Sequence, residues 1–580
     1  MKHLVASLLL LLLLTCAATR PSQAQTACDL AIVHATVIHT HEKRLLEDAV
    51  VLVADGRITR VAPAADIEIP QNCRIVDATG KYLLPGLVDG HIHFFQSGGL
   101  YTRPDAIDLR KHMPYAQELD SIRANIDDVF RRYLRCGITT VADAGGPMWN
   151  FDVRDAARRT AEAPRVFLTG PLIASYQPDA LTTDDPPIIK VFSPEEARTL
   201  VRKQAAENPA FIKVWYVVSK RLSLGLEEFR PTMEAIVDES RKAGLPVWVH
   251  ATELETARAA VQAGADVLVH DVTDVEVDEA FLTLARERGV IVVPTLWVFQ
   301  SYALVLAGQF TPTREELAMA DPRILGTLFD IRGMRSGDLP ARAQALRDRE
   351  GLELPSPVAM TNVRKLHQAG VRLAAGTDAG NIGVLHGPSL YRELALMRQA
   401  GMSAHDVLIA ATLNGAALVG MEEQCGSIEE GKCADLLLLN SNPLEDVRNC
   451  ADIYRVVRDG RVYDPAQLLP PSPEDLAQMQ LNAYNARDLE AFLSVYDEDV
   501  EIYSFPSTLQ YSGRQRMREI YGEFFEQATQ LHCRLLNRIT YENMVMDREY
   551  VTGVPRQEAV EAVAIYETGD GFIRKVWFVQ

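Results

Sequence analysis

The stretch Leu87-Val88-Asp89-Gly90-His91-Ile92-His93 joins an apolar strand pattern to two histidines at its carboxyl end. Side chains two residues apart in a strand point to the same face, so His91 and His93 are predicted to lie side by side. Two imidazoles on one face form a natural pair of ligands for zinc or a similar metal. A His-x-His pair also occurs by chance, so further ligands elsewhere in the chain decide its meaning.

Seven more apolar, strand-like segments follow, and helical patterns separate several of them. The eight segments are Leu87–His93, Ile138–Ala142, Arg165–Leu168, Phe211–Tyr216, Val247–His250, Val267–His270, Val290–Pro294 and Val371–Gly376. Eight strand-then-helix units predict an α/β fold built on a closed parallel (β/α)8 TIM barrel over residues 86–421. Residues 300–355 are longer than an ordinary connection and are predicted to form a helical insertion over the barrel mouth.

Segments with strand patterns flank the barrel on both sides. Residues 25–85 and 422–468 are predicted to combine into one small composite β-sandwich domain. Residues 469–473 hold three prolines and are predicted to be a linker. Residues 474–580 begin with a helical pattern and continue with strand patterns, which predicts a separate α+β domain.

Three more candidate ligands follow strand segments of the barrel. His250 and His270 end the fifth and sixth strands, and Asp378 follows the eighth in Gly376-Thr377-Asp378. Barrel enzymes carry their chemistry at the carboxyl ends of their strands. A single histidine at a strand end is usually structural, but four histidines and one aspartate at matching ends rarely coincide by accident. The pattern therefore predicts a metal site.

Lys213 lies near the end of the fourth strand, between Ile212 and Val214. Burying an unpaired ammonium group is costly, so one interpretation is a structural lysine whose amino group reaches water. The other is a lysine carbamylated by CO₂, which turns a cation into a carboxylate-like bridge between two metal ions. A lysine with a depressed pKa suits that modification. The residues alone leave both interpretations open.

These residues carry a resemblance to a known family. From about Asp29 to Pro465 the chain resembles the amidohydrolase superfamily, in its imidazolonepropionase-like and prolidase-like branch. The resemblance rests on Leu84-Pro85-Gly86 with the strand that follows, on Gly376-Thr377-Asp378-Ala379-Gly380, and on Gly426-Ser427-Ile428-Glu429-Glu430-Gly431-Lys432 with Ala434-Asp435-Leu436. These motifs are specific to the superfamily and say little about the substrate.

The resemblance implies a site for two divalent metal ions, expected to be Zn²⁺. His91, His93 and Asp378 are expected to hold one ion and His250 and His270 the other, with carbamylated Lys213 as the bridge. A metal lowers the pKa of its bound water from about 16 towards about 7, so hydroxide becomes available at neutral pH. Asp378 is expected to pass the proton of that water to the leaving nitrogen. The expected reaction is hydrolysis of the C–N bond of a small amide, such as a dipeptide or an N-acyl amino acid.

Other residues near the predicted site have two interpretations each. His386 resembles a family residue that contacts the substrate or supports the ligands, and an ordinary loop histidine fits equally. Tyr216, Lys220 and Arg221 follow the fourth strand and can meet a substrate carboxylate, although solvation suits the two cations better.

Glu253 raises an alternative function. His250-Ala251-Thr252-Glu253 resembles the mononuclear branch of the superfamily, where a glutamate acts near the metal. Glu253 also suits the first turn of the next helix, where the helix dipole favours a carboxylate. A one-metal cyclic-amide hydrolase or deaminase therefore stays open beside the two-metal amide hydrolase, and a non-catalytic binding protein is the third alternative. Metal content per chain separates the first two.

Residues 474–580 resemble the nuclear-transport-factor-2-like fold, in its SnoaL-like and steroid-isomerase-like form. The resemblance rests on Tyr484–Phe492, Tyr496–Val500 and Gly571–Phe578. The isomerases place a catalytic aspartate after the strand that here is Val500–Tyr503, and this chain has Ser504 there. The resemblance therefore implies binding or homo-oligomerisation rather than isomerisation. A chain ending near Leu469 is expected to fold, keep its metal and remain active.

The first 24 residues have the pattern of a signal peptide. Lys2 precedes the apolar run Leu4–Leu14, which is too short to span a membrane, and Ser22-Gln23-Ala24 resembles a cleavage site. The mature chain is expected to begin near Gln25, in the periplasm or outside the cell. An uncleaved anchor and lipidation of Cys16 are the alternatives.

Export permits disulfides. The formal net charge of −19 argues against nucleic-acid binding, and the resemblance to the amidohydrolases implies a small-molecule substrate. Seven cysteines follow the predicted cleavage site, so at least one stays unpaired within the chain. Cys425 and Cys433 flank a turn-like stretch and form the best candidate pair. Isolated buried thiols are the alternative.

Overall fold

The computed structural model describes residues 28–217, 225–335, 337, 339–348, 351–352 and 354–579. The predicted signal peptide with Cys16, and also Lys220 and Arg221, lie outside the described residues. Within the described ranges, no helix has the length and apolar character that a membrane crossing requires.

Parallel strands form the centre of the molecule, in two sheets. One sheet contains Leu87–Ile92, Ile138–Asp143 and Arg165–Leu168. The other has the order Ile188–Lys190, Leu172–Ala174, Ile212–Trp215, Val247–His250, Val267–Val269, Ile291–Val293 and Arg372–Leu373. Each of the eight predicted barrel segments therefore contains a strand, and within each sheet these strands pair with their neighbours in chain order.

Backbone hydrogen bonds link the two sheets. The third strand is interrupted at Gly170-Pro171, because proline has no N–H to donate to a neighbouring strand. Before the break it pairs with Ile138–Asp143, and after it Leu172–Ala174 pairs with Ile212–Trp215. At the other edge the amide of Gly90 donates to the carbonyl of Ala375 over 2.9 Å. The first and eighth strands are therefore neighbours, as a (β/α)8 barrel requires.

Helices connect these strands. They are Tyr115–Ala124, Ile126–Arg135, Asn150–Arg159, Pro194–Ala205, Leu226–Lys242, Leu254–Ala263, Glu279–Arg288, Pro357–Gln368, Ser389–Gln399, Ala404–Ala411 and Leu413–Leu418. Capping residues determine where several of these helices begin and end. Ser193 accepts a hydrogen bond from the amide of Glu196 at the start of one helix, and Gly264, with a φ of +106°, ends another. The insertion between the seventh and eighth strands is helical, as predicted, with Leu296–Leu306, Arg314–Met319, Pro322–Asp330 and Ala341–Arg347.

Strands from both flanks of the barrel join in one sheet of eight. They are Leu30–His39, Arg44–Ala54, Arg57–Pro63, Arg74–Asp77, Tyr82–Pro85, Leu436–Leu439, Ile453–Arg458 and Arg461–Tyr463. Leu436–Leu439 pairs antiparallel with Tyr82–Pro85, which ties the two flanks together. Hydrogen bonds connect all eight strands, and Leu30–His39 pairs with three of the others.

The disulfide joins Cys28 to Cys73, with 5.3 Å between their Cα atoms. The prediction that Cys425 pairs with Cys433 is wrong, since both are free buried thiols. Strand register explains why Cys28 meets Cys73. Leu30 lies opposite Arg74 in a parallel pair, so the residues just before the two strands lie close together. That pairing joins segments more than 40 residues apart, and no local turn pattern announces it.

The C-terminal domain is α+β. Its helices are Pro473–Ala486, Leu489–Ser494 and Arg514–Gln527, and the short helix Pro465–Leu468 precedes it. Its six-stranded sheet has the order Thr508–Ser512, Tyr496–Ser504, Phe572–Val579, Ala559–Gly569, Met544–Thr552 and His532–Tyr541. Ser472 and Asp475 form a capping box that starts its first helix. Pro470 and Pro471 are exposed between the two domains.

Candidate functional site

The carboxyl ends of the parallel strands converge on a cavity of about 620 Å³. The predicted metal-site residues all line it: His91, His93, Lys213, His250, His270 and Asp378. They come from five different strands or strand ends, so no local segment assembles the site. The structure therefore brings together the whole predicted set.

His91, His93 and Asp378 form the tightest group. Asp378 Oδ1 lies 3.1 Å from His93 Nε2 and 3.3 Å from His91 Nε2. The Nδ1 atom of His93 donates to the carbonyl of Gly145 over 2.7 Å, so in the neutral ring Nε2 carries a lone pair. In that form the lone pair faces a carboxylate oxygen at 3.1 Å, an arrangement that a cation between the two atoms would stabilise. This donor set therefore fits a divalent metal ion.

His250 and His270 form the second group, with their ring centroids 4.4 Å apart. His270 Nδ1 is 2.7 Å from the hydroxyl of Thr295, which leaves Nε2 facing the cavity. Nε2 is 3.9 Å from Asp378 Oδ2, so Asp378 lies between the two groups. Burial lowers the pKa of His270 to about 3 and that of His250 well below its ordinary value. Both rings are therefore neutral and able to act as ligands.

Lys213 reaches the same cavity from the strand Ile212–Trp215 and is 1% exposed. Burial lowers the pKa of its amino group to about 7. Among the described residues, no carboxylate lies within ion-pair distance of its amino group. An amine in this setting is partly neutral at neutral pH, which is the state that reacts with CO₂.

The backbone is strained where the ligands are presented. His270, Thr295 and Asp378 have φ values of +74°, +48° and +64°, a region that costs a non-glycine residue roughly 1–3 kcal/mol. Buried Asp89 supports one of these positions by accepting hydrogen bonds from the amide and hydroxyl of Thr377, over 2.9 and 2.7 Å. The surrounding structure thus maintains an unfavourable conformation at three neighbouring strand ends.

Tyr216 does not reach the cavity. Its hydroxyl donates to the carbonyl of Leu226 over 3.0 Å, and its ring packs against Phe229. Side chains alternate along a strand, so Lys213 and Trp215 face the cavity whereas Tyr216 points to the other side. Trp215 occupies the place predicted for Tyr216.

Glu253 and His386 also lie outside the cavity lining. Glu253 directly precedes the helix Leu254–Ala263, and its carboxylate accepts a hydrogen bond from Thr256 over 3.1 Å. His386 lies behind the cavity wall, with Nδ1 2.7 Å from the hydroxyl of Tyr133 and Nε2 2.8 Å from the carbonyl of Gln96. Both of its ring nitrogens are engaged, so His386 supports the wall rather than contacting a ligand.

Sequence reasoning missed a polar corner of the cavity. Arg103 donates to both carboxylate oxygens of Asp105, over 2.8 and 2.6 Å, and to Asn381. The hydroxyl of Tyr302 donates to the same Asn381 oxygen over 2.7 Å. Arg103-Pro104-Asp105 belongs to the long connection after the first strand, and barrel enzymes build their sites from such connections.

The rest of the lining is mostly apolar. Leu172, Ile188, Trp215, Val298, Phe299 and Leu346 form this wall, and the last three belong to the helical insertion. Phe299 is 45% exposed, and its ring centroid lies 5.9 Å from that of His270. The cavity therefore has a candidate metal-binding end, a polar corner and an apolar wall.

Comparison with known proteins agrees with this arrangement. Residues 82–463 match the family described as "Amidohydrolase family", and residues 477–576 match the SnoaL-like domain. Imidazolonepropionase of Porphyromonas gingivalis is 25% identical over 421 residues, which cover 69% of this chain and 84% of that protein. Ochratoxinase of Aspergillus niger is 25% identical over 441 residues, which cover 72% and 82%.

A solved structure extends the comparison to the fold. The structure of a Xaa-Pro dipeptidase with methionine bound in its active site is 23% identical and has a TM-score of 0.56. The match covers 75% of this chain and 99% of that one. At this level of identity the likeness concerns the fold alone.

Proposed function

The chain belongs to the amidohydrolase family, with a SnoaL-like domain at its C-terminal end, and from that premise we propose that it hydrolyses the amide bond of a small substrate with the help of two divalent metal ions. The resemblance inferred from the sequence motifs is thereby confirmed. The observation that carries the proposal is that six candidate ligands line one cavity, with Asp378 between two groups of histidines.

The fold supports this proposal. We interpret the two linked parallel sheets as a closed TIM barrel over residues 86–421, beside a composite β domain of residues 25–85 and 422–468. Residues 469–473 are the linker to the domain of residues 474–580. The hydrogen bond from Gly90 to Ala375, and the one from Ala210 to Leu168 over 2.8 Å, support closure on both sides of the smaller sheet.

The division of ligands follows the geometry of the two groups. His91, His93 and Asp378 would hold one metal ion, and His250 and His270 the other, with Zn²⁺ as the expected ion for this nitrogen-rich set. Such ions polarise a substrate carbonyl and lower the pKa of water. Asp378 is placed to take a proton from the attacking water, because its carboxylate lies between the two groups of histidines, 3.1 Å from His93 Nε2 and 3.9 Å from His270 Nε2. Transfer of that proton to the nitrogen allows the C–N bond to break and the amine to leave.

Lys213 is proposed to bridge the two ions as a carbamate. The lone pair of its neutral Nζ forms a bond to the carbon of CO₂, and the nitrogen releases a proton to solvent. The product is an anion with two oxygens, which replaces a buried cation by a group that suits two metal ions. The pKa of about 7, caused by burial, supports a sufficient neutral fraction for this reaction.

The cavity lining supports a substrate with a bulky apolar group. The apolar wall lies beside the histidines, and the corner formed by Arg103, Asp105 and Asn381 offers hydrogen bonds to a carboxylate or amide of the same molecule. An N-acyl amino acid or a dipeptide with an apolar side chain has this combination of groups.

Replacing Trp215 by alanine is expected to raise KM about tenfold for substrates with bulky apolar groups, because part of the apolar wall is removed. Substrates with small groups should be affected less. Tyr216→Phe is the matched control one position along the strand, since the Tyr216 hydroxyl donates to the carbonyl of Leu226 and the side chain lies outside the cavity lining. Steady-state kinetics on a paired series of substrates measures the effect. Equal changes for bulky and small substrates in Trp215→Ala would contradict the assignment of this wall.

The proposed function is tested by two measurements on one purified sample. Metal analysis should find about two divalent ions per chain, and a library of dipeptides and N-acyl amino acids should contain hydrolysed members. A fully metal-loaded protein that hydrolyses no amide in the library would contradict the proposal.

One observation favours a second candidate, a one-metal cyclic-amide hydrolase. It is the 25% identity to an imidazolonepropionase over most of the chain. About one ion per chain, with activity on cyclic amides, would support that candidate. The position of Glu253 beside its own helix and outside the cavity favours the two-metal reaction.

We further propose that the chain is exported and that it forms homo-oligomers through its C-terminal sheet. The pattern of residues 1–24 supports export, and sequencing of the exported protein should find an N-terminus near Gln25. Exposed apolar side chains on the sheet support self-association, among them Ile539 and Tyr541, which are 58% and 71% exposed.

A further inference from the structure

A loop at the active-site cavity is held by a helix of the insertion. Residues 97–105, here called the Arg103 loop, bring Arg103 and Asp105 to the cavity lining. The helix Pro322–Asp330, here called the brace helix, contacts this loop at two points. The amide of Leu100 donates to the hydroxyl of Thr327 over 3.0 Å, and the hydroxyl of Tyr101 donates to Asp330 over 2.9 Å.

The loop and the brace helix approach each other closely. A Cβ atom added to Gly99 would lie 2.8 Å from the hydroxyl oxygen of Thr327, which is shorter than an ordinary contact. At the end of the loop nearer the candidate metal ligands, the amide of Gly98 donates to the carbonyl of Gly380 over 2.8 Å. The loop is thus anchored at its start by the barrel and over the next residues by the brace helix, and Arg103 follows both anchors.

The brace helix also contacts the C-terminal domain. The side-chain amide of Asn482 donates to the carbonyl of Pro322 over 2.7 Å. A Cβ atom added to Gly326 would lie 2.6 Å from Gln478 Nε2, so the two helices are in close contact. Asn482 and Gln478 are 1% and 8% exposed, so this polar contact is shielded from water.

The contact continues into the sheet of the C-terminal domain. Gln478 donates to Asn482 over 2.9 Å and accepts from Arg538, also over 2.9 Å. Arg538 in turn makes two hydrogen bonds to Asp547, over 2.7 and 2.6 Å, and Asp547 is fully buried. A buried network with all its members paired has one preferred geometry and resists displacement. The sheet of the C-terminal domain is therefore connected to the brace helix by an unbroken series of hydrogen bonds.

We propose that the C-terminal domain positions the Arg103 loop, so that it contributes to substrate binding without touching the substrate. Asn482 and Gln478 are positioning residues: they fix the brace helix, which fixes the loop that carries Arg103. The candidate metal ligands His91 and His93 precede this loop, and the amide of His93 donates to the carbonyl of Ala379 over 2.8 Å, so we expect both to keep their positions when the loop loosens. The inference uses the proposed amide hydrolysis only as a readout of KM, and its structural part is measured without any substrate.

The test uses the full-length protein with Asn482→Ala. Hydrogen exchange in residues 97–105 and 322–330 is expected to become at least about tenfold faster, since the brace helix loses its contact with Asn482 and then holds the loop less firmly. KM is expected to rise about five- to tenfold, with kcat within about twofold and metal content unchanged. A purely structural role would lower the yield of active enzyme and kcat instead of KM.

Two further variants complete the test. Tyr101→Phe removes the hydroxyl that contacts Asp330 and should raise KM in the same way without altering the C-terminal domain; it also keeps the proposal falsifiable if Asn482→Ala fails to fold. Arg314→Ala is the control, because Arg314 pairs with Asp488 across the same domain interface over 3.3 Å but lies outside the brace helix. It should leave exchange in the loop and KM unchanged.

Three outcomes would overturn the proposal. One is wild-type exchange in residues 97–105 in a folded Asn482→Ala protein, and another is faster exchange there with unchanged KM. The third is the same rise in KM in Arg314→Ala. If no amide is hydrolysed at all, the proposed function fails, whereas the exchange measurement still decides whether the C-terminal domain holds the loop.

Discussion

Asp378→Asn is expected to lower kcat/KM by at least about 1000-fold while the protein remains folded and keeps much of its metal. The amide oxygen of asparagine can still act as a weak ligand, but the side chain no longer accepts a proton. Asp378 lies between the two histidine groups, 3.1 Å from His93 Nε2 and 3.9 Å from His270 Nε2. We therefore expect metal binding and proton transfer both to depend on this carboxylate.

The measurement combines steady-state kinetics with metal analysis of the same sample. Asp278→Asn is a matched control, since Asp278 caps the helix Glu279–Arg288 and lies outside the cavity lining. Its turnover should stay close to that of the unmodified protein. Turnover by Asp378→Asn within about tenfold of the unmodified protein would rule out the proton-transfer role.

Lys213→Met is expected to reduce metal content from about two ions per chain to about one and to lower kcat by about 100-fold or more. Methionine matches the apolar part of lysine but cannot form a carbamate. Loss of activity through unfolding is not expected, because the substitution removes a buried amine that has no carboxylate partner within ion-pair distance among the described residues.

The stability of the metal-free proteins gives an independent check. Burial lowers the pKa of Lys213 to about 7 from an ordinary value of 10.5, so the unfolded chain binds a proton more tightly than the folded one. That difference destabilises the folded protein increasingly as the pH falls from about 10 to about 7, and fully below that. Lys213→Met should therefore melt at a higher temperature than the unmodified protein below pH 7, and the gain should shrink towards pH 10. Retention of two ions and normal turnover in this variant would identify Lys213 as a structural lysine.

Local periodicity is sufficient to predict the candidate metal-binding end of the cavity. His91 and His93 are two residues apart in a strand, and His250, His270 and Asp378 follow other strand segments. Parallel strands that neighbour one another in chain order present their carboxyl ends at one edge. Once the eight segments were recognised, the convergence of these side chains followed without any knowledge of their packing.

The face of the strand to which a side chain near the strand end points is harder to predict from the sequence. Tyr216 and Trp215 are adjacent, and a one-residue difference in the position of the strand exchanges the face to which each points. The residues around them are apolar except Lys213, which lies two positions before Trp215. Because residues two apart share a face, a cavity position for Lys213 already favours Trp215 over Tyr216. The structure places Trp215 in the cavity and Tyr216 against Phe229.

The sequence by itself determined the family, the order of the domains and the strand ends that carry the candidate ligands, because these depend on local patterns and short motifs. Only the tertiary structure decided that Cys28 pairs with Cys73, that Arg103 reaches the cavity and that Asn482 supports the brace helix. Each of these contacts joins segments that are far apart in the chain, and their partners are chosen by strand register and domain packing. No local pattern encodes such a choice, since its free energy arises only when both surfaces are already formed.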